Sequence, residues 1–74
     1  MAAVLHLIKS GATKLAGSVI DQHVSAGDRV TVVVLPGSQA PEVPASVHLR
    51  RLDGDLSYSQ LLDLIFSADR VVTW

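Results

Sequence analysis

Val30-Thr31-Val32-Val33-Val34-Leu35 is the stretch that decides the fold. It is nearly continuous in β-branched apolar residues, the pattern of a strand covered on both faces rather than one with a solvated side. It is therefore expected to be the central, best-buried strand of a largely parallel sheet. Upstream, Val4-Leu5-His6-Leu7-Ile8 is a second short apolar run, stopped by the turn Lys9-Ser10-Gly11. Between the two runs, Leu15, Ala16, Val19, Ile20 and Val24 recur at helical spacing, while Lys14, Ser18, Asp21, Gln22 and Ser25 fall between them. An amphipathic helix over 13–25 follows. Ser10 or Thr13 suits its N-cap, and Gly27 suits the left-handed residue that ends many helices.

Downstream of the central strand, residues 36–46 hold all three prolines together with Gly37, Ser38 and Ser46. Fixed φ angles and missing donors make this a loop where many α/β folds carry a helix. Val47 to Leu52 alternates Val47 and Leu49 against His48 and Arg50, which predicts a wetter strand with one side toward solvent or a partner. Ser57-Tyr58-Ser59-Gln60 has the capping-box pattern, and Tyr58, Leu61, Leu62, Ile65 and Phe66 continue it as a helix to about Ala68. Arg70-Val71-Val72-Thr73-Trp74 supplies a last strand. The expected fold class is α/β: a small, mostly parallel four-stranded sheet in the order of elements βαβ-loop-βαβ, a reduced flavodoxin-like arrangement. With a strand order of 2-1-3-4, right-handed crossovers place the two helices on opposite faces.

The chain has 74 residues, no cysteine and a net charge of −1. One domain is expected, of a size at which a lone core is marginal, and neither disulfides nor thiolate zinc sites can supplement it. Two helices cannot shield both faces of four strands, so apolar surface is expected to remain for another subunit, and an oligomer is predicted. There is no basic run and only Tyr58, Phe66 and Trp74 are aromatic, which argues against direct nucleic-acid binding. The apolar stretches fall well short of the roughly 20 residues of a membrane span. A cytoplasmic location is the default expectation.

Any ligand in such a fold is expected beyond the carboxyl ends of the strands where strand order reverses. For the order 2-1-3-4 that crevice lies between Lys9-Ser10-Gly11 and Asp53-Gly54-Asp55. Ser10 and Gly11 before a helix could offer backbone N–H groups to an anion with Lys9 as counter-charge, but neither GxGxxG nor GxxxxGK[ST] is present, and a plain capped turn is the favoured reading of the same residues. Asp53 and Asp55 around Gly54 could in principle act as paired carboxylates, but a solvated turn built from residues that favour turns is the expected reading. His6, His23 and His48 have no metal-ligand spacing and no nucleophile beside them, so they read as packed or surface residues. No catalytic residue, metal site or cofactor is predicted, and a stand-alone enzyme is not expected. Arg50 and Arg51 point to opposite faces of their strand, so Arg50, with His48, is a candidate interface residue. Trp74 is another: a large aromatic at that position is either tucked over a core edge or buried in an interface.

Two parts of the sequence carry a family resemblance. The opening Val4-Leu5-His6-Leu7-Ile8-Lys9-Ser10, then Ala26-Gly27-Asp28-Arg29-Val30 leading into Val32-Val33-Val34-Leu35 and Gly37, together with a last residue Trp74, resemble the DsrH/TusB family. Members typically open with a leucine-histidine strand, carry a glycine-aspartate step before the second strand, and often end on tryptophan. The resemblance implies a DsrE-like fold and a place in a hetero-oligomer with DsrE- or DsrF-like chains, which hands persulfide sulfur on for tRNA thiolation or sulfur oxidation. It departs from the family in length, with 36–46 replacing a usual helix. Because relay chemistry runs on cysteine thiolates and this chain has none, the resemblance implies a non-catalytic subunit and transfers no catalytic residue. The alternative is a homo-oligomeric module that binds an anionic metabolite or nucleotide through Lys9, Ser10 and Gly11.

Overall fold

A computed structural model describes residues 2–9, 13–52 and 54–74. The element order is β1 (Ala3–Ile8), α1 (Thr13–Ser25), β2 (Arg29–Val34), β3 (His48–Arg51), α2 (Tyr58–Ser67) and β4 (Arg70–Thr73). All three strand pairings are parallel, so the sheet is wholly rather than mostly parallel. Among the described residues, no helix is long and apolar enough to cross a membrane.

The strands lie in the order β3-β2-β1-β4, and the expectation of 2-1-3-4 is corrected accordingly. The physical cause is the route of the proline-rich loop. Ala40 and Val43 pack against the same core as α1, Pro41 is buried, and the Glu42 carbonyl lies 3.7 Å from the point where a Cβ on Gly17 would stand. The loop therefore runs over the α1 face and substitutes for a crossover helix. Two successive right-handed crossovers on one face step the chain the same way, from β1 to β2 to β3. Only a crossover on the other face can return it, which is what α2 does by carrying the chain back to β4 beside β1. The helices consequently cover opposite faces, as expected.

The β2 run earns its central place, pairing with β1 through six registered positions and with β3 on its other side. Its period-2 alternation divides it between two cores. Val30, Val32 and Val34 join Ile8, Ala16, Ile20 and Val47 on the α1 side, while Val33 joins Leu5, Leu56 and Leu61 on the α2 side. Both helices are closed by their own sequences. Gly27 adopts φ +85°, its N–H bonds to Val24 O at 3.0 Å and Asp28 N–H to His23 O at 3.1 Å, which together form a Schellman motif. At α2 the capping box is complete: the Ser57 hydroxyl accepts from Gln60 N–H at 3.2 Å, and the Gln60 side chain accepts from Ser57 N–H at 2.8 Å.

The Ser57→Ala substitution removes one half of that box from an exposed site that packs against nothing in the core. It is expected to destabilise the domain by about 1 kcal/mol, lowering the melting midpoint by roughly 4–8 °C for a domain of this size. Calorimetry on the two proteins measures it, and an unchanged midpoint would show that the cap contributes nothing.

Candidate functional site

His6 occupies the middle of β1 and is wholly buried, between Val32 on one neighbouring strand and Val72 on the other. It shares the α1 face with Val4 and Ile8, because residues two apart on a strand point the same way. An imidazole at such a place must have both nitrogens partnered, since a buried polar group without a hydrogen bond costs on the order of 1–3 kcal/mol. Two residues from distant elements meet that demand. Trp74 Nε1 donates to His6 Nδ1 at 3.0 Å, and His6 Nε2 lies 3.1 Å from His23 Nδ1.

The indole N–H can only donate, and this fixes every proton in the cluster. His6 Nδ1 must be a bare acceptor, so the neutral ring carries its proton on Nε2. That proton is donated to His23 Nδ1, which is then bare in turn, and the neutral His23 ring holds its own proton on Nε2. The His6 and Trp74 ring planes are 14° apart with centroids separated by 6.1 Å, a near-coplanar pose that suits an in-plane N–H···N bond. The His6 and His23 rings are tilted by 42° at 5.2 Å. Among the described residues no buried side-chain nitrogen or oxygen is left without a partner.

Local structure brings His23 to this place. It stands three residues after Ile20 and seven after Ala16, on the stripe of α1 that faces the sheet, and its carbonyl is held by the Schellman bond from Asp28. Asp28 Oδ1 also accepts from Ala2 N–H at 3.2 Å, and Arg29 N–H bonds to Ala2 O at 2.8 Å, so the helix end is tied to the start of β1. Trp74 is positioned by the β4 ladder: its N–H bonds to Leu7 O at 2.9 Å and its carbonyl accepts from Lys9 N–H at 3.3 Å.

Burial holds the His6 pKa well below its ordinary 6.5, at about 4, and the neighbouring His23 adds to the effect. Desolvation penalises the imidazolium, and a proton on Nδ1 would meet the Trp74 donor head-on. With His6 neutral, the cluster is a hydrogen-bonded chain that clamps α1 and β4 onto β1. Among the described residues no group of three or more potential metal ligands occurs.

The structure separates the other candidate residues. Ser10, Gly11 and Asp53 lie outside the described residues. Lys9 is exposed at the end of β1. The crevice expected between the ends of β1 and β3 belongs to the order 2-1-3-4; here β2 stands between those two strands, and the strand order reverses between β1 and β4. Asp55 caps its own turn, its Oδ2 accepting from Arg51 N–H at 3.0 Å, so the solvated-turn reading describes it. His48 and Arg50 are exposed on the edge strand β3, beside an open hollow on the α2 side that Thr31, Gln60 and Leu64 also line. Of the two readings of Trp74, its partly buried ring takes the first, tucked against the α1-side core of its own chain. No family model, curated protein or solved structure matches the chain.

Because the folded pKa of His6 lies below the unfolded value, the unfolded chain takes up the proton first as pH falls. The stability owed to neutral His6 is complete above pH 6.5, declines as pH drops from there to about 4, and the loss amounts to on the order of 3 kcal/mol. Urea unfolding across that range measures it. In the Trp74→Phe variant, His6 Nδ1 loses its donor; stability at neutral pH is expected to fall by about 1–3 kcal/mol, and the slope below pH 6.5 to flatten because Nδ1 can then accept a proton. An equal slope in both proteins would refute the tautomer assignment.

Proposed function

We propose that this chain is a non-catalytic, cysteine-free subunit of a sulfur-relay-type assembly, resembling DsrH/TusB proteins and working in contact with DsrE- or DsrF-like chains. The observation that carries the reading is the 3.0 Å hydrogen bond between Trp74 and His6. His6 belongs to the leucine-histidine strand of the resemblance, and Trp74 is the tryptophan that the resemblance also includes. In three dimensions they form one buried unit, which gives a physical reason for a leucine-histidine strand and a closing tryptophan to occur together.

The chemistry of the reading is divided. Persulfide transfer needs a thiolate, and the chain holds no cysteine, so a partner supplies the sulfur-bearing group. This subunit contributes a rigid surface and a small wholly parallel sheet of the kind the resemblance implies. It handles sulfur for tRNA 2-thiolation or for sulfur oxidation only through that partner.

Affinity capture of the tagged chain from extracts of its native host, with mass-spectrometric identification, tests the proposal. Co-purification of small cysteine-bearing DsrE- or DsrF-like chains in fixed proportion is expected. Recovery of the chain alone would overturn it, and a rise in melting temperature on adding inorganic phosphate would then favour an anion-binding module.

A further inference from the structure

One margin of the molecule is built differently from the rest. α2 turns Leu61, Leu64, Ile65 and Ala68 toward the core it shares with Leu5, Leu7 and Val33, and no β4 residue belongs to that core. One flank of the helix, with Gln60, Leu64 and Ser67, looks toward β2 and β3 across hollows lined by Arg29, Thr31, His48 and Arg50. The other flank must therefore overlook β4. It carries Tyr58, Leu62 and Phe66 at successive i+4 positions, exposed by 65%, 41% and 85%. Val71, paired with Leu5 and hence on the same sheet face, is 39% exposed below them. These residues form a step: Leu62 and Phe66 are its wall, Val71 and Thr73 its floor, and the outer edge of β4 its open side.

The two edges of the sheet are treated unequally. β3 carries His48, Arg50 and Arg51 on four residues, the charged composition that keeps edge strands from pairing. β4 reads Arg-Val-Val-Thr, with one charge at its start, no proline and no bulge in its register. Its inner hydrogen bonds run through Trp74 N–H to Leu7 O, so by alternation the Val71 and Thr73 N–H groups point away from β1. We infer that this step is a homodimer interface, in which β4 pairs antiparallel with β4 of a second copy about a two-fold axis and the two α2 flanks face each other across it.

A second copy fits for three reasons. An antiparallel two-fold pairing is self-complementary, and sets Asp69 and Arg70 of one strand opposite the Thr73 end of the other, so like charges do not meet at the axis. The α2 flank itself holds no charge, since Asp63 falls on the outward side of the helix, two positions from buried Leu61. The area is of the right order: Tyr58, Leu62, Phe66 and Val71 together expose roughly 400 Å² of side chain per copy, about 800 Å² over two copies, to which the paired β4 edges add toward the roughly 1,200 Å² of a stable interface.

This inference rests on the assembly part of the proposed function and not on its relay chemistry. Sedimentation velocity with light scattering on the purified chain tests it. The wild-type mass is expected to be twice that of one chain. Phe66→Glu, at a site too exposed to matter for folding, is expected to weaken the dimer at least about tenfold. Arg50→Glu on the opposite edge should leave it intact. Amide exchange should show the Val71 and Thr73 N–H groups protected in the dimer and unprotected in Phe66→Glu. A monomeric wild type, or a dimer indifferent to Phe66→Glu, would overturn the inference. A homodimer that captures no relay chains leaves it standing and removes the relay reading; a monomer that captures them does the reverse.

Discussion

A neutral imidazole in the centre of a parallel sheet is the constraint on which the rest of this structure depends. Strand β1 pairs with β2 on one side and β4 on the other, and its middle residue, His6, has two side-chain nitrogens that need partners. One partner comes from α1 and the other from the residue after β4. The helix must therefore end where its Schellman motif ends it, so that His23 overhangs the sheet. Strand β4 must lie beside β1 and in the register that brings Trp74 over the α1 face. A shift of one residue would turn Trp74 to the other face and leave Nδ1 without a donor.

The two faces of the sheet are covered by different means. On one, α1 and the proline-rich loop share the work, with Ala40, Pro41 and Val43 doing what a crossover helix does elsewhere. On the other, α2 stands alone. A loop with preset φ angles loses less conformational entropy on ordering than a flexible one, which lets it serve as a packing element without hydrogen-bonding its own backbone as a helix would. The asymmetry leaves β4 without cover on the α2 side and concentrates exposed apolar surface there.

Much of the fold was legible because local physics decides it. The β-branched run at 30–35, the Ser57/Gln60 box and Gly27 each act within a few residues, and each stands where the sequence places it. Strand order was not legible, since the handedness of crossovers admits 2-1-3-4 as readily as 3-2-1-4 until the face taken by residues 36–46 is known. The histidine cluster was half legible. The spacing Ala16, Ile20, His23 places His23 on the inward stripe, and the alternation Val4, His6, Ile8 places His6 inward too, so both rings are directed at one layer. That Trp74 closes the network is a contact across 68 positions, which periodicity does not report. The order β3-β2-β1-β4 keeps the carboxyl end of β1, at Lys9, beside the point where strand order reverses and moves the end of β3 away from it.

Placing β4 beside β1 has a kinetic side. The first βαβ unit, from Ala3 to Val34, is a short-range structure whose pairing closes over a single helix. Its inner strand β1 nevertheless remains an edge until β4 arrives, and bonds such as Asp69 carboxylate to Ala3 N–H span 66 positions. Closing so large a loop draws on chain entropy before the contacts that reward it exist, which raises contact order and slows folding relative to a helical domain of equal length.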